Sequence, residues 1–130
     1  MARVYGTKST EEALQHLLHV SKSNANDPFT LHAIGIQFHA LKLYRDALKY
    51  FERAEAIKAG ITSSNLFYIG DCLRRTGAIQ ESLEYYKKAL SVPVHNRVDL
   101  KGYLKARKHL SSQGLSEAEL DAMTPQKPSM

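Results

Sequence analysis

The side chains of this sequence that could support catalysis or bind a metal are six histidines and a single cysteine. His16 and His19 are three positions apart, a spacing at which two imidazoles on one helix can share a metal ion. No cysteine lies near them, and no third ligand stands at a suitable spacing. Cys72 falls within a helical pattern and has no paired base that would activate a thiolate. The sequence therefore predicts a protein that is not an enzyme and that holds no metal and no cofactor.

Composition and charge describe one ordinary globular domain. The chain has 130 residues, of which 43% are hydrophobic and 24% charged, and no apolar run reaches the roughly 18 residues of a membrane span. Residues 1–8 are too short and polar for a secretory signal, so we expect a cytoplasmic protein without membrane insertion. The net charge is +5, and the basic excess is concentrated in residues 95–110. Such a charge attracts an acidic partner, although plain solvated helices also carry it.

A period of 35 residues runs through the middle of the chain. Apolar or small residues of the first unit recur in the second, and spacings of three and four between them indicate two helices per unit, which form a helical hairpin. Because glycine inside a helix costs about 1 kcal/mol relative to alanine, the glycine of each unit predicts a close approach between helices. The matched positions are Leu31, Ile34, Gly35, Phe38, Ala47, Leu48, Tyr50, Phe51 and Ala54 in the first unit and Leu66, Ile69, Gly70, Leu73, Ser82, Leu83, Tyr85, Tyr86 and Ala89 in the second.

These positions, with Pro93 after the second unit, resemble the tetratricopeptide repeat. The sequence departs from that pattern in its 35-residue spacing, which is one residue longer than usual, in Ser82 where alanine is usual, and in Lys42 where the first hairpin would turn at glycine. The resemblance implies an all-α helical-hairpin solenoid of about seven helices, wound as a right-handed superhelix. It also implies a concave groove that holds a peptide or helix of another protein.

Start and stop signals give the organisation of the chain. Asp27 with Pro28 can begin the first hairpin, Ser63 or Ser64 can cap the second, and Gly77 can end a helix in a left-handed conformation.

The flanks look like worn copies of the same unit. Capping boxes at Ser9 with Glu12 and at Ser116 with Glu119 begin helices, and Asn96 begins another. We predict a flexible N-terminus over 1–8, one domain over 9–123 and a disordered tail over 124–130. Within the domain the predicted parts are a capping helix over 9–22, repeat 1 over 28–60, repeat 2 over 63–93 and a degenerate third repeat or cap over 96–123.

The resemblance also indicates which side chains would face a partner in the groove. With the repeat positions directed to the core, the predicted groove residues are His32, Ile36, His39, Phe67, Asp71, Arg74, Lys101, Lys105 and Lys108, with Ser64 and Tyr68 on the same face of their helix. This mixture suits a segment with apolar anchors and acidic residues. The sequence leaves open that Phe67 packs between helices and that the lysines are merely solvated.

The function predicted from these features is a protein-interaction module, an adaptor or scaffold. Chaperone-binding tetratricopeptide proteins carry a carboxylate clamp, which this sequence lacks. At the corresponding places it has His32, Ile36, Tyr68, Val98 and Gly102.

Three alternatives remain. The size resembles that of bacterial secretion chaperones that hold a segment of an exported protein. The period also resembles that of pentatricopeptide repeats, which read RNA, although two or three hairpins would read too few bases. Two copies of the chain could also associate through their end helices.

Overall fold

The computed structural model of the chain describes residues 2–23 and 26–124. In these ranges the chain forms seven α-helices and no strand, which confirms the predicted all-α class and the number of helices. The helices are α1 (Ala2–Ser23), α2 (Pro28–Ala40), α3 (Tyr44–Ile57), α4 (Ser63–Arg75), α5 (Ile79–Ser91), α6 (Arg97–Ser112) and α7 (Glu117–Ala122). None of the helices in the described ranges is both long enough and apolar enough to cross a membrane.

The helix starts of the two hairpins follow the 35-residue period. The Asp27 carboxylate accepts a hydrogen bond from the backbone N–H of Phe29 at 3.0 Å and caps α2 as predicted. At the equivalent place Thr62 Oγ1 accepts from the N–H of Asn65 at 2.9 Å and caps α4, so the expected cap at Ser63 or Ser64 is wrong. The reason is local geometry, because Thr62 holds the extended backbone of a cap while Ser63 is already helical.

Both ends of the chain differ from the sequence-based prediction. Helix α1 begins at Ala2, whereas the sequence predicted a flexible segment over 1–8 and a first helix from the capping box at Ser9. Once a helix has formed, each further residue adds a hydrogen bond without a new nucleation cost, and α1 extends past the predicted capping box at Ser9. Thr124 is buried and donates a hydrogen bond to the carbonyl of Leu120 at 3.0 Å, which places it outside the predicted disordered tail. The remainder of that tail, 125–130, lies outside the described residues.

The capping signals in the C-terminal part are confirmed. The Asn96 side chain accepts from the N–H of Asp99 at 2.8 Å and begins α6. Ser116 and Glu119 form a complete capping box at the start of α7, with both hydrogen bonds at 3.2 Å.

The turns inside the two hairpins share an unusual backbone conformation. Gly77, after α4, has a φ of +96°, as predicted for a left-handed end. Lys42 occupies the same position 35 residues earlier and has a φ of +63°. A left-handed conformation costs an L-residue about 1–2 kcal/mol, so the first hairpin turns under strain that the second avoids.

The chain divides into two compact units, Met1–Ala59 and Gly60–Met130. In the first unit α2 packs against α1 and α3. Its buried core includes Leu31, Ile34 and Phe51. A Cβ placed on Gly35 would lie only 2.6 Å from Phe51 Cε1, which confirms the predicted close approach of α2 and α3.

In the second unit α4 and α5 form a hairpin and α6 packs against both. A Cβ on Gly70 would lie 2.8 Å from the ring of Tyr86, which repeats the arrangement of the first unit. Arg107 of α6 holds α7 through Glu117, at 2.5 Å, and Asp121, at 2.8 Å. The main core cluster of this unit contains Leu66, Phe67, Tyr86, Ala89, Leu90, Tyr103, Ala106, Leu110 and Leu120.

Candidate functional site

An open pocket of about 190 Å³ lies in the second unit between α4 and α6. It is small compared with the cavities that hold whole cofactors, and its wall comes from two helices whose relative position is fixed by packing. The lining residues are Ser64, Phe67 and Tyr68 from α4 and Val98, Lys101, Gly102 and Lys105 from α6.

Gly102 brings the two helices together at this pocket. A Cβ at this position would lie 3.1 Å from Ser64 Cα and 3.4 Å from Phe67 Cβ. Any larger side chain on α6 would have to push α4 away. The absence of a side chain therefore sets the spacing of the two helices that form the pocket.

The apolar part of the pocket rests on a column of stacked rings. Phe67 stacks on Tyr86, with ring centroids 5.8 Å apart, and meets the edge of Tyr68 at 5.2 Å. His109 of α6 stacks on Tyr86 at 5.0 Å, with only 7° between the ring planes. Phe67 is only 5% exposed, so it packs between helices, as the alternative sequence interpretation had it, while still lining the pocket. Val98, at 60% exposure, lies at the mouth.

The charge of the pocket is positive. Lys101 and Lys105 are exposed, and Lys105 Nζ lies 5.8 Å from the centre of the Phe67 ring, within reach of a cation–π interaction. None of the seven lining residues is acidic. The nearby acid of α6, Asp99, is buried and accepts a hydrogen bond from the backbone N–H of His95 at 3.3 Å. The two ammonium groups thus have no carboxylate among the residues that share the pocket with them.

The hydroxyl of Ser64 is a buried polar group of the pocket that makes no hydrogen bond. Its side chain is 2% exposed. Among the buried side-chain nitrogen and oxygen atoms of residues 9–23 and 26–124, Ser64 Oγ is the one that lacks a hydrogen-bond partner. A buried hydroxyl without a partner costs about 1–3 kcal/mol. A ligand atom that accepted a hydrogen bond from this hydroxyl would remove the cost.

A charged network lies farther along α4. Asp71 is buried, and its two carboxylate oxygens accept hydrogen bonds from Arg74 Nη2 and Arg75 Nε, both at 2.8 Å. Arg74 Nε also donates to the hydroxyl of Tyr86 at 3.2 Å. Burial would lower the pKa of Arg74, but its hydrogen bonds to Tyr86 and Asp71 outweigh burial and raise it. Asp71 and Arg74, both predicted to face a partner, therefore hold α4 and α5 together.

The titration of the ring column follows from its burial. Burial raises the pKa of Tyr86 and of Tyr68, and the charge of Asp71 adds to both shifts. Burial also lowers the pKa of His109, and the positive charge of Arg74 lowers it further. The imidazole of His109 is accordingly uncharged near neutral pH, which suits its place against a buried aromatic ring.

The predicted groove residues fall into three groups. Phe67, Lys101 and Lys105 meet at the pocket, whereas Lys108 is exposed on α6 and is not part of the lining. Asp71 and Arg74 belong to the charged network.

The three remaining predicted residues lie on α2 in the first unit and are half-buried: His32, Ile36 and His39. His32 contacts the ring of Phe51 at 5.4 Å, and His39 contacts Tyr44 at 5.2 Å.

Sequence reasoning missed three residues of this region. Val98 and Gly102 enter the sequence prediction only as places where a carboxylate clamp is absent, and His109 enters it only as one of the six histidines. His109 stands 35 residues after Arg74, so the repeat itself was the signal that could have drawn attention to it. In the described part of the chain no group of three or more His, Cys, Asp or Glu residues could hold a metal ion, and His16 and His19 are exposed.

Comparison with known proteins adds one finding. The model of a protein family described as regulator of microtubule dynamics protein 1-3 matches residues 42–114, which is more than half of the chain. The matched range includes all seven residues that line the pocket. No curated protein matches the chain.

Proposed function

The chain belongs to the regulator of microtubule dynamics protein 1-3 family, and on this premise we propose that it is a non-catalytic interaction module that helps to regulate microtubule dynamics. It binds a segment of a partner protein through the pocket between α4 and α6. The same proposal places it in the cytoplasm, where microtubules are found.

The repeated hairpins support an adaptor role. The caps Asp27 and Thr62, and the turns Lys42 and Gly77, are each 35 residues apart. Helical hairpins that recur at such a period favour a tetratricopeptide-like superhelix, which is the arrangement that we propose for the whole chain. Arrays of this kind commonly act through their surfaces, by binding.

The observation that carries the proposal is the composition of the pocket. An apolar patch formed by Phe67, Tyr68 and Val98 lies beside two exposed lysines. Protein interfaces have this organisation, with an apolar centre and a polar rim. The lining contains no histidine and no carboxylate that could act as a general base, so the pocket favours binding over catalysis.

Growth of single microtubules from purified tubulin, followed by fluorescence microscopy, tests this function. We expect the chain to change the growth rate or the frequency of shortening, and the Lys101→Glu/Lys105→Glu variant to lose most of that effect. Lys108→Glu is the control, since it makes the same type of substitution at one exposed lysine of α6 outside the pocket. An inactive wild-type chain, or a folded double variant that acts like wild type, would contradict the proposal.

A further inference from the structure

We propose that the pocket between α4 and α6 selects an acidic peptide segment that carries one apolar side chain, and that the Ser64 hydroxyl donates a hydrogen bond to that segment. This inference rests on the proposed function and deepens it by giving the chemistry of the bound segment. Three properties of the pocket lead to it: its size, its charge and its unsatisfied hydroxyl.

The size of the pocket determines how much of a ligand it can hold. Its volume of about 190 Å³ is below the roughly 300–1,000 Å³ of sites that enclose a whole small molecule. A single aliphatic side chain fits such a space. Tyr68 and Val98 provide the apolar contact, with the buried Phe67 behind them.

The charge of the pocket determines what flanks the apolar anchor. Lys101 and Lys105 are four residues apart, so they project from the same side of α6. Both are exposed, and the acids Asp71 and Asp99 are buried with hydrogen bonds of their own. Two lysines in this position attract carboxylates on either side of the anchor, which defines an acidic peptide.

The hydroxyl of Ser64 determines the hydrogen bond. It is buried in the pocket wall and lacks a partner among the residues that the structure describes. A peptide carbonyl or carboxylate oxygen that reached this hydroxyl would accept a hydrogen bond from it. A buried donor is costly to leave unpaired. A hydrogen bond from the Ser64 hydroxyl therefore contributes more to peptide binding than the same bond from a serine that already bonds to water.

Nucleic acid is the other polyanion that two lysines could attract, but the buried ring of Phe67 does not favour it. Binding of single strands depends on aromatic faces on which bases can stack. Phe67 is almost fully buried, one side of its ring stacks on Tyr86, and Lys105 lies within 5.8 Å of its centre. An open stacking face is therefore not available at Phe67.

The test measures the affinity of the full chain for a fluorescein-labelled peptide with blocked ends, Gly-Asp-Asp-Leu-Asp-Asp-Gly, by fluorescence anisotropy. Two matched peptides replace every Asp by Asn or the Leu by Ser. We expect the first peptide to bind and both replacements to weaken binding at least threefold. A decauridylate, which carries more than twice the negative charge of the peptide, forms the nucleic-acid arm, and we still expect it to bind more weakly than the peptide.

Variants of the chain connect the affinity with named residues. Lys101→Gln/Lys105→Gln should weaken peptide binding roughly threefold to tenfold, because two exposed charge pairs with the peptide are lost and each contributes modestly. Ser64→Ala should weaken it by a similar factor without lowering the unfolding midpoint of the free chain, since the free chain loses no hydrogen bond. If Ser64 served only to stabilise the fold, Ser64→Ala would lower the unfolding midpoint and leave peptide binding unchanged. Lys108→Gln should bind within twofold of wild type.

The proposal is wrong if the Asn peptide binds as well as the Asp peptide, if Lys108→Gln weakens binding as much as the double variant, or if the decauridylate binds more tightly through the same two lysines. Failure of this inference can be told apart from failure of the proposed function. A chain that alters microtubule growth through Lys101 and Lys105 but does not bind the acidic peptide retains the function and loses only the ligand class. A chain that binds the peptide but leaves microtubule growth unchanged retains the ligand class and loses the proposed function.

Discussion

The two hairpins of this protein share a backbone plan and differ in chemistry. Helices α2 and α4 are both 13 residues long and are capped at positions 35 residues apart. In each, a glycine lies against an aromatic ring of the next helix, Gly35 against Phe51 and Gly70 against Tyr86. The comparison teaches that the glycine and ring positions of the repeat determine how the helices meet, while other positions of the repeat are free to acquire polar groups.

Two positions of α4 show this freedom. Ile36 and His39 of α2 correspond to Asp71 and Arg74 of α4, and the hydroxyl of Tyr86 has no counterpart on Phe51. The second hairpin thereby gains a hydrogen-bonded charge network that joins α4 to α5. The same unit carries the pocket. We infer that this network holds the α4 side of the pocket in a fixed position.

The largest effect that separates the hairpins is expected from adding a methyl group at the close contacts. Gly70→Ala would place a Cβ 2.8 Å from the Tyr86 ring and 3.2 Å from the carbonyl oxygen of Ser82. Overpacking of this kind costs about 1–3 kcal/mol. Gly35→Ala should cost less, because the three atoms nearest to its Cβ all belong to the Phe51 side chain, whereas Gly70 also faces the backbone carbonyl of Ser82 and a Tyr86 ring held by Arg74. Urea denaturation measures both, and an equal or reversed order would show that the network does not stiffen the second hairpin.

A smaller effect is expected from removing the one hydroxyl that distinguishes the two rings. Tyr86→Phe makes the second hairpin resemble the first and removes the acceptor of the Arg74 Nε hydrogen bond. We expect a loss of about 1 kcal/mol in the free energy of unfolding. Tyr50→Phe, which alters a half-buried tyrosine of the first hairpin, serves as the control and should change stability by less than about 0.5 kcal/mol. A neutral Tyr86→Phe would mean that the network contributes nothing to stability.

An effect of opposite sign is expected at the turns. Lys42→Gly should stabilise the chain by about 0.5–1 kcal/mol, because relief of the left-handed strain exceeds the entropy that glycine adds to the unfolded chain. Gly77→Lys is the reciprocal change and should destabilise the chain by a comparable amount. Thermal unfolding followed by circular dichroism detects both shifts. If both substitutions lower the melting temperature, Lys42 makes contacts that matter more than its backbone conformation.

The smallest effect is expected from pH, through His109. The pKa of His109 is lowered in the folded chain by burial and by Arg74, Lys108 and Arg75, with Asp71 opposing them. The unfolded chain therefore takes up the proton first as the pH falls below about 6.5, so the free energy of unfolding decreases until the folded pKa has been passed. His109→Phe keeps a ring against Tyr86 and does not titrate. Its stability should fall less than that of wild type between pH 7 and pH 5, and parallel curves would exclude His109 as the source.

The sequence predicted most of the fold because helices depend on local signals. The period, the caps at Asp27 and Asn96 and the packing glycines Gly35 and Gly70 can all be recognised from residue type and spacing. The cap at Thr62 was assigned one or two residues late, since three consecutive hydroxyl residues all qualify there. Only the backbone conformation distinguishes among them.

The candidate site was predicted less completely. Lys101, Lys105 and Phe67 could be placed on common helix faces by the repeat. The pairing of Asp71 with two arginines and the removal of a side chain at Gly102 depend on how α4, α5 and α6 meet, which sequence spacing does not specify. The isolated hydroxyl of Ser64 is a further example, because the lack of a partner becomes visible only when all its neighbours are in place.

The central claim is that the pocket of the second unit, and not the α2 surface, is the binding surface. Amide chemical shifts of the ¹⁵N-labelled chain, recorded while the acidic peptide is added, test it most directly. The account predicts that the changes cluster on α4 around Ser64 to Tyr68 and on α6 around Val98 to Lys105. Changes confined to α2 around His32, Ile36 and His39, or spread evenly over the lysines of the chain, would contradict it.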